Sequence, residues 1–221
     1  MTRTIVLPGT PVGDLKSKMP GKGTFKEGDI IYAARLGILN DKGKYVNIVP
    51  LSGVYDPQNG DVVIGTVLEA LRNAWMLDIN APYPAFLNID NVPWRVDSGE
   101  TAKYLKMGDV VITTVTDVNE ARSIDLSMRC RACRKVDGGL IIDIQPSKTP
   151  RVIGKNSSML NVLKQKTKCW IFVGQNGRIW IKGDDLQVRR VVDSIHFIEK
   201  ESHTDGLTQR ITDMLSVSIS G

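Results

Sequence analysis

Hydrophobic and polar positions divide the chain into three stretches of different period. In residues 1–57 the apolar runs are short, and glycine or proline interrupts them at Pro8-Gly9, Pro11, Gly13, Pro20-Gly21, Gly23 and Gly28. Such punctuation separates short strands. Ile30–Ala34 and Tyr45–Val49 are strand candidates, with Asn40-Asp41-Lys42-Gly43 between them as a hairpin turn. The stretch predicts a small all-β unit. In residues 58–130 the period is two. Asp61–Leu68, Ala74–Ile79, Ala85–Ile89, Val110–Thr116 and Ile124–Met128 predict five strands, with a long polar connection over 91–108 between the third and the fourth. That pattern fits a closed Greek-key barrel. In residues 137–221 the period changes again. Leu140–Ile144 reads as a strand, and Met159, Leu160 and Leu163 share one side of a helix over Ser157–Lys166. Trp170–Val173 and Arg178–Lys182 are strands joined by a tight turn, Gly174-Gln175-Asn176-Gly177. Asp184-Asp185 then opens a helix, acids being favoured at its positive end, with Val188, Val191, Val192, Ile195 and Ile198 as its apolar stripe. The fold class is mainly β with a C-terminal α+β domain.

Composition narrows the function classes. No apolar run approaches the ~20 residues of a membrane span, and Met1–Gly9 lacks the pattern of a signal peptide, so a cytoplasmic protein without membrane contact is expected. Three cysteines argue against a disulfide framework. Cys130 and Cys133 form a C-x-x-C inside a basic run, but a zinc site needs a second pair; Cys169 stands alone, and His196 and His203 lie far along the chain. The two cysteines are read as structural or incidental, with no metal and no cofactor. Carboxylates are scattered, and no Walker loop, nucleophile elbow or histidine pair is present. His196, beside the apolar stripe, is read as structural, and no catalysis is expected.

Net charge is +5, and its placement says more than its size. Between Asp143 and Asp184 there is no acid, against eight basic residues: Lys148, Arg151, Lys155, Lys164, Lys166, Lys168, Arg178 and Lys182. Without those eight, 21 basic residues face 24 acidic ones, so this segment holds the whole positive excess. A local basic field is the footprint of a polyanion. Single-stranded RNA asks for cations along its phosphates and flat side chains under its bases. The barrel offers Trp75, Tyr83, Phe86 and Trp94 near Arg72, Arg95, Lys103 and Lys106, and the loops around Arg72, Arg95 and Arg122 are expected to share a rim. Alternation puts Trp75 on the side of Leu77 and Ile79, so both stacking and burial stay open for it; Phe86 is read as core and Tyr83 as exposed.

The barrel pattern is of the OB kind. The order β-α-β-β-α with a glycine turn before the first long helix is that of a type I KH domain. In such domains a G-x-x-G loop brings backbone close to phosphate at a helix N-terminus. Gly154-Lys155-Asn156-Ser157 holds that place, with Arg151 beside it, and Ser157 is expected to act as an N-cap. Gly174–Gly177 reads as a turn with a packing role.

Several motifs in order resemble a known family: Val6-Leu7-Pro8-Gly9, Gly21-Lys22-Gly23-Thr24, Tyr55-Asp56-Pro57 followed by Gly60-Asp61-Val62-Val63-Ile64-Gly65, and Gly174-Gln175-Asn176-Gly177-Arg178-Ile179-Trp180-Ile181. Over essentially its whole length the chain is similar to the archaeal exosome RNA-binding cap subunits. The resemblance implies an N-terminal β domain (1–57), an S1-type barrel (58–130) and a KH-type domain with a C-terminal helix (137–221). It also implies RNA contacts at Trp75 and Asn88, by alignment of Ala74–Ile79 and Ala85–Ile89 with the family's barrel strands. The implied role is a non-catalytic cap, three to a hexameric ring of RNase PH-like subunits that degrades RNA from its 3′ end with phosphate. The implied partners are single-stranded RNA, the ring and other cap subunits. A translation- or ribosome-associated RNA-binding module is the alternative.

Overall fold

A computed structural model describes residues 4–51, 53–119, 123–202 and 206–216, with the backbone alone at Lys42. The chain divides into two compact units, Met1–Gly53 and Val54–Gly221.

In the first unit the glycine and proline punctuation cuts the chain into β1 (Ile5–Val6), β2 (Pro11–Asp14), β3 (Met19–Pro20), β4 (Thr24–Glu27), β5 (Ile30–Ala33), β6 (Gly37–Lys42) and β7 (Tyr45–Pro50). They form two sheets, ordered β1-β6-β7-β3 and β2-β5-β4. Val6, Ala33 and Ile48 are buried together, and Ile31 and Val46 are fully enclosed. The predicted hairpin turn is corrected. Asn40 and Asp41 pair with Asn47 and Val46, and Lys42 pairs with Tyr45, so the chain reverses at Gly43-Lys44. Gly43 is the residue with a positive φ (+67°), which a tight reversal needs.

The second unit begins with the barrel: β8 (Val62–Ala70), β9 (Ala74–Asp78), β10 (Ala85–Asn88), β11 (Val110–Val118) and β12 (Ile124–Ser127). The strands run β12-β10-β9-β8-β11, and β12 pairs with β11 to close the ring, leaving no free edge among these five. The inward positions of the alternation, among them Val63, Val67, Trp75, Leu77, Leu87, Val111 and Leu126, make one core. The polar connection after β10 contains a short helix, α1 (Thr101–Tyr104), that the sequence pattern does not announce. Beyond the barrel, β13 (Arg134–Val136) adds to β11.

The remainder is β14 (Leu140–Asp143), α2 (Thr149–Ile153), α3 (Ser158–Thr167), β15 (Trp170–Val173), β16 (Arg178–Lys182), α4 (Asp185–Lys200) and α5 (Leu207–Ser216), with an antiparallel sheet ordered β14-β16-β15. Helix α2 was not expected: five residues with Pro150 in the first turn are too short to show a period, although proline suits that position. Ile171, Ile179 and Ile181 face the helices and share a core with Leu163, Val191, Ile195 and Ile211. Period two then sends Ile141, Phe172 and Trp180 to the opposite face of the sheet. There they pack on Ile64, Ile112 and Val136 of the barrel side. Both faces of this sheet are therefore covered, and the barrel and the α+β part form one body.

The turn Gly174–Gly177 completes that union. Strand β9 stops pairing after Asp78, opposite Thr66, which leaves backbone groups of β8 unmatched from Val62 to Ile64. Gln175 and Asn176 occupy that gap. The Gln175 amide donates to Val62 O at 2.9 Å. Asn176 is fully buried: its Nδ2 donates to Ile64 O and Ile79 O, both at 2.8 Å, and its Oδ1 accepts from the Ile64 amide at 3.3 Å. Asn80 Nδ2 returns a hydrogen bond to Asn176 O at 3.1 Å. Arg178, next in line, donates to Asp78 O at 2.7 Å and forms an ion pair with the Asp78 carboxylate. Burial raises the Asp78 carboxyl pKa, but the Arg178 hydrogen bond, the Asn80 amide and the guanidinium charge outweigh it and hold the group below its usual range. Both glycines are needed. A Cβ at Gly174 would lie 2.4 Å from Asn176 Oδ1, and one at Gly177, where φ is +83°, 2.4 Å from Ile144 O.

Candidate nucleic-acid interface

Two surfaces hold the candidate residues. The first is the barrel end where β8 gives way to β9. Arg72 is exposed in the reversal between them, its Nε donating to Ser98 Oγ at 3.2 Å, and Ser98 Oγ donates in turn to Asn73 Oδ1 at 2.7 Å. Asn88, exposed at the end of β10, sits opposite Ala74. Arg95 projects almost entirely into solvent, with Asp97 3.8 Å away. Lys103 on α1 is exposed and paired with Glu100, which raises its pKa, while Lys106 is exposed just before β11. The structure thus brings Arg72, Asn88, Arg95, Lys103 and Lys106 to one end. Tyr83, 43% exposed in the turn from β9 to β10, belongs to the opposite end, as does the β11–β12 turn, where the Asn119 amide bonds Ser123 O at 3.1 Å. The single rim expected for the loops of Arg72, Arg95 and Arg122 is therefore split between two ends of the barrel. Arg122 itself lies outside the described residues, as does His203.

Trp75 is a correction. It is 0% exposed, and its Nε1 donates to Thr101 O and Leu105 O, both at 3.1 Å. Its indole fastens the long connection to the barrel core and has no face left for a base. Strand parity puts its neighbour Met76 outward, and Met76 pairs with Phe86, which in turn lies beside Asp125. Both Met76 and Phe86 are half-buried, so Phe86 is not the core residue expected. His196 is also corrected: its side chain is 56% exposed, 3.8 Å from Glu199, rather than packed.

The second surface is the turn between α2 and α3. Gly154 adopts φ +74°, and a Cβ there would meet Met159 N at 2.8 Å, so the residue must be glycine. Lys155 and Asn156 are exposed, Arg151 and Ser157 half-buried. Asn156 (φ +52°) and Ser157 (φ +60°) are both left-handed. The expected N-cap is absent: a cap residue has extended dihedrals, whereas Ser157 is left-handed and makes no side-chain cap hydrogen bond to α3. The first-turn amides of α3 therefore lack that side-chain acceptor at the end of the helix that attracts anions. Of the eight basic residues in the acid-free segment, Arg178 is spent on Asp78 and Lys148 donates to Ser202 Oγ at 2.8 Å. Lys166 and Lys182, both exposed, donate to Ser216 Oγ at 3.0 Å and Asp137 O at 2.9 Å, and Lys155, Lys164 and Lys168 are exposed as well.

Family models match in the same order along the chain. The RRP4 N-terminal region of the exosome complex exonuclease matches residues 5–40, the RRP4 S1 domain 54–100 and the KH domain 139–187. The exosome complex component Rrp4 of Methanococcoides burtonii is 42% identical over 211 residues, 96% of this chain and 80% of that protein. That of Picrophilus torridus is 40% identical over 209 residues, 95% of this chain and 90% of that protein. The chain belongs to the Rrp4 family of exosome components. A crystal structure described as that of an exosome complex RNA-binding protein superposes with a TM-score of 0.67 at 36% identity, over 74% of this chain and 95% of that one. The barrel of this Rrp4-family chain is an S1 domain, and its α+β part is a KH domain.

Sequence reasoning missed two features of the Rrp4-family chain. The outward pair Met76 and Phe86 could have been found by applying to Met76 the parity that put Trp75 inside. The Cys130–Cys133 disulfide, with Cα atoms 5.1 Å apart, could not be told from two free thiols by spacing. Cys169 is free and buried. Among the described residues no group of three or more His, Cys, Asp or Glu side chains could hold a metal, and no helix is long and apolar enough to cross a membrane.

Proposed function

We propose that this chain is a non-catalytic, cytoplasmic RNA-binding cap subunit of the exosome. It binds single-stranded RNA and feeds it into the central channel of a hexameric ring of RNase PH-like subunits, which degrades the RNA from its 3′ end with phosphate; three copies and other caps serve one ring. The observation that carries this reading is the turn Gly154–Ser157. Its glycine cannot bear a side chain, Lys155 stands free in solvent, and it opens onto the N-terminus of α3 in a chain of the Rrp4 family. That arrangement suits a phosphate, since backbone can approach it closely and both the helix dipole and the lysine favour negative charge. The barrel end with Arg72, Asn88, Arg95, Lys103 and Lys106 supplies a second set of contacts along the strand.

Docking to the ring falls to the first unit. It exposes Ile5 (62%), Leu7 (64%), Met19 (53%) and Val49 (47%), apolar side chains that a partner can cover. The test is RNA decay by the ring with and without this chain. Addition should speed degradation of single-stranded RNA, and the chain by itself should release no nucleoside diphosphate. Ring activity indifferent to the chain, or diphosphate release by the pure chain, contradicts the reading. The double variant Ile5→Asp, Leu7→Asp should lose ring association and keep RNA binding.

A further inference from the structure

Cys130 and Cys133 are not among the residues of either candidate RNA surface or of the joint at Asn176. They form a disulfide in the segment that leads from the barrel to the KH domain. Three observations set this bridge apart from a purely structural one. The first is access. Both cysteines are half-buried and line an open cavity of about 650 Å³, within the ~300–1,000 Å³ usual for small-ligand sites. Val92 and Met128 give its wall an apolar part, and Arg95 and Arg129 a positive one. Cys169, by contrast, is buried and free.

The second is charge. From Asp125 to Asp137 the chain carries four basic residues and no intervening acid, and Arg129 and Arg131 flank Cys130 directly. Arg131 is exposed, and Arg129 bonds the neutral carbonyl of Asp90 at 2.6 Å. Cationic neighbours favour a thiolate over a thiol. The third is that the turn holds without its bridge. The Cys133 amide donates to Cys130 O at 3.1 Å, and just upstream the Met128 amide donates to Asn91 O at 2.8 Å. Downstream, β13 pairs with β11, and Lys135 with Asp109. Opening the bridge therefore leaves the two sulfurs near one another, ready to close again. Cys133 Sγ also lies 3.6 Å from Ser127 O, an acceptor already in place for the thiol that reduction produces.

We infer that Cys130–Cys133 is a reversible thiol–disulfide exchange site for small anionic thiols. The thiolate of such a molecule attacks Cys130 Sγ. The Cys130–Cys133 bond breaks, a mixed disulfide forms on Cys130, and Cys133 leaves with the electron pair and takes a proton from water. A second small thiolate attacks the sulfur that the first contributed, which releases Cys130 as a thiolate. Two small thiols have then become one small disulfide, and two electrons and two protons have passed to the protein. The reverse sequence consumes a small disulfide and rebuilds the bridge. Arg95 and Arg129 draw the anion into the cavity, and Cys133, packed on the barrel core, resolves the mixed disulfide. Disulfides of reducing compartments are as a rule transient or redox-sensing, and the cytoplasm is where the proposed function puts this chain.

The experiment uses the full chain and glutathione, a small thiol of net negative charge. The chain is equilibrated in mixtures running from fully reduced to fully oxidised glutathione, quenched in acid, unfolded and labelled with a maleimide. Mass spectrometry should count three labels at the reduced end, falling to one at the oxidised end with no glutathione retained. One label throughout marks a permanent structural bridge, since such bridges resist the glutathione pool. Three throughout mark a pair that never closes. Either result overturns the site. Initial rates of reduction test the charge. Arg95→Gln should slow reduction by glutathione about two- to fourfold, the effect of one charge at contact range in water. Reduction by cysteamine, a cationic thiol, should be as fast or faster, and the unfolding midpoint should not move. A glutathione rate that stays the same, or equal slowing with both thiols, overturns the anionic pocket. No RNA and no ring subunit enters the test, so its outcome is independent of the proposed function.

Discussion

Gly154-Lys155-Asn156-Ser157 and Gly174-Gln175-Asn176-Gly177 share a glycine in first place and an asparagine in third, and are opposite objects in the fold. In the first, Asn156 is exposed and left-handed, and the turn presents Lys155 and a helix start to solvent. In the second, Asn176 is fully buried, and its amide uses both donors and its acceptor on the barrel backbone. What separates them is the partner. The first precedes a helix and faces water. The second joins two strands whose far face packs against the barrel, and it meets a strand, β8, with unmatched backbone groups. A polar turn is a ligand site when nothing in its own chain satisfies it, and a structural joint when something does.

The largest effect expected is at the buried asparagine. Asn176→Ala leaves the amide and carbonyl of Ile64 and the carbonyl of Ile79 without this partner inside the protein, each at a cost of about 1–3 kcal/mol when buried. Denaturant unfolding should lose about 3–5 kcal/mol. Asn156→Ala should lose about 1 kcal/mol or less, the strain of alanine at a positive φ. Equal losses at the two positions would erase the contrast.

Gly154→Ala comes next. It forces a Cβ to 2.8 Å from Met159 N at φ +74°, a strain of about 1–3 kcal/mol. RNA affinity should fall at least about tenfold through displacement of the turn. Affinity unchanged in a folded variant would place the RNA on the barrel.

Acid separates the two turns again. Asp78, ion-paired with Arg178, has a folded pKa below its ordinary 3.8. Its contribution is complete above that value and is lost as pH falls through the lower folded pKa, because protonation then ends the pairing. Asp78→Asn should flatten the loss of stability in acid below about pH 4. An identical acid profile in the variant would show the pair to be idle.

The smaller effects are at the exposed turn. Lys155→Ala should weaken RNA binding for many sequences alike and reduce the slope of log K against log salt by about 0.7, the share of one phosphate on a single strand. Ser157→Gly should raise stability by several tenths of a kcal/mol, since glycine accepts φ +60° without the strain serine bears. A loss of stability there would restore the N-cap that the geometry denies.

Local pattern was enough for much of this protein. Period two placed the five barrel strands within a residue or two of where they lie, because an inward and outward alternation depends only on which neighbours are apolar. The stripe Val191, Ile195, Ile198 fixed α4 for the same reason. The acid-free stretch from Asp143 to Asp184 located the basic field. Helix α2 escaped because five residues show no period, and the β6–β7 reversal was misplaced because Asn40 and Asp41 are good turn residues that also pair well in a strand. Trp75 could not be assigned to core or surface until its N–H found two carbonyls on a connection 26 to 30 residues away. Distance along the chain is the common feature of what stayed hidden. Asn176 meets Ile64 across 112 residues, and the β8–β9 and β11–β12 connections, sought for one rim, lie at opposite ends of the barrel. The sequence by itself determined the five barrel strands, the stripe of α4, the order of the β, barrel and α+β stretches and the sign of the charge, all of which follow from interactions between near neighbours. The tertiary structure decided which of two like turns is buried, which aromatic is core and which lysines are free, because each depends on a partner brought near only by the closing of the barrel and its packing on the KH sheet.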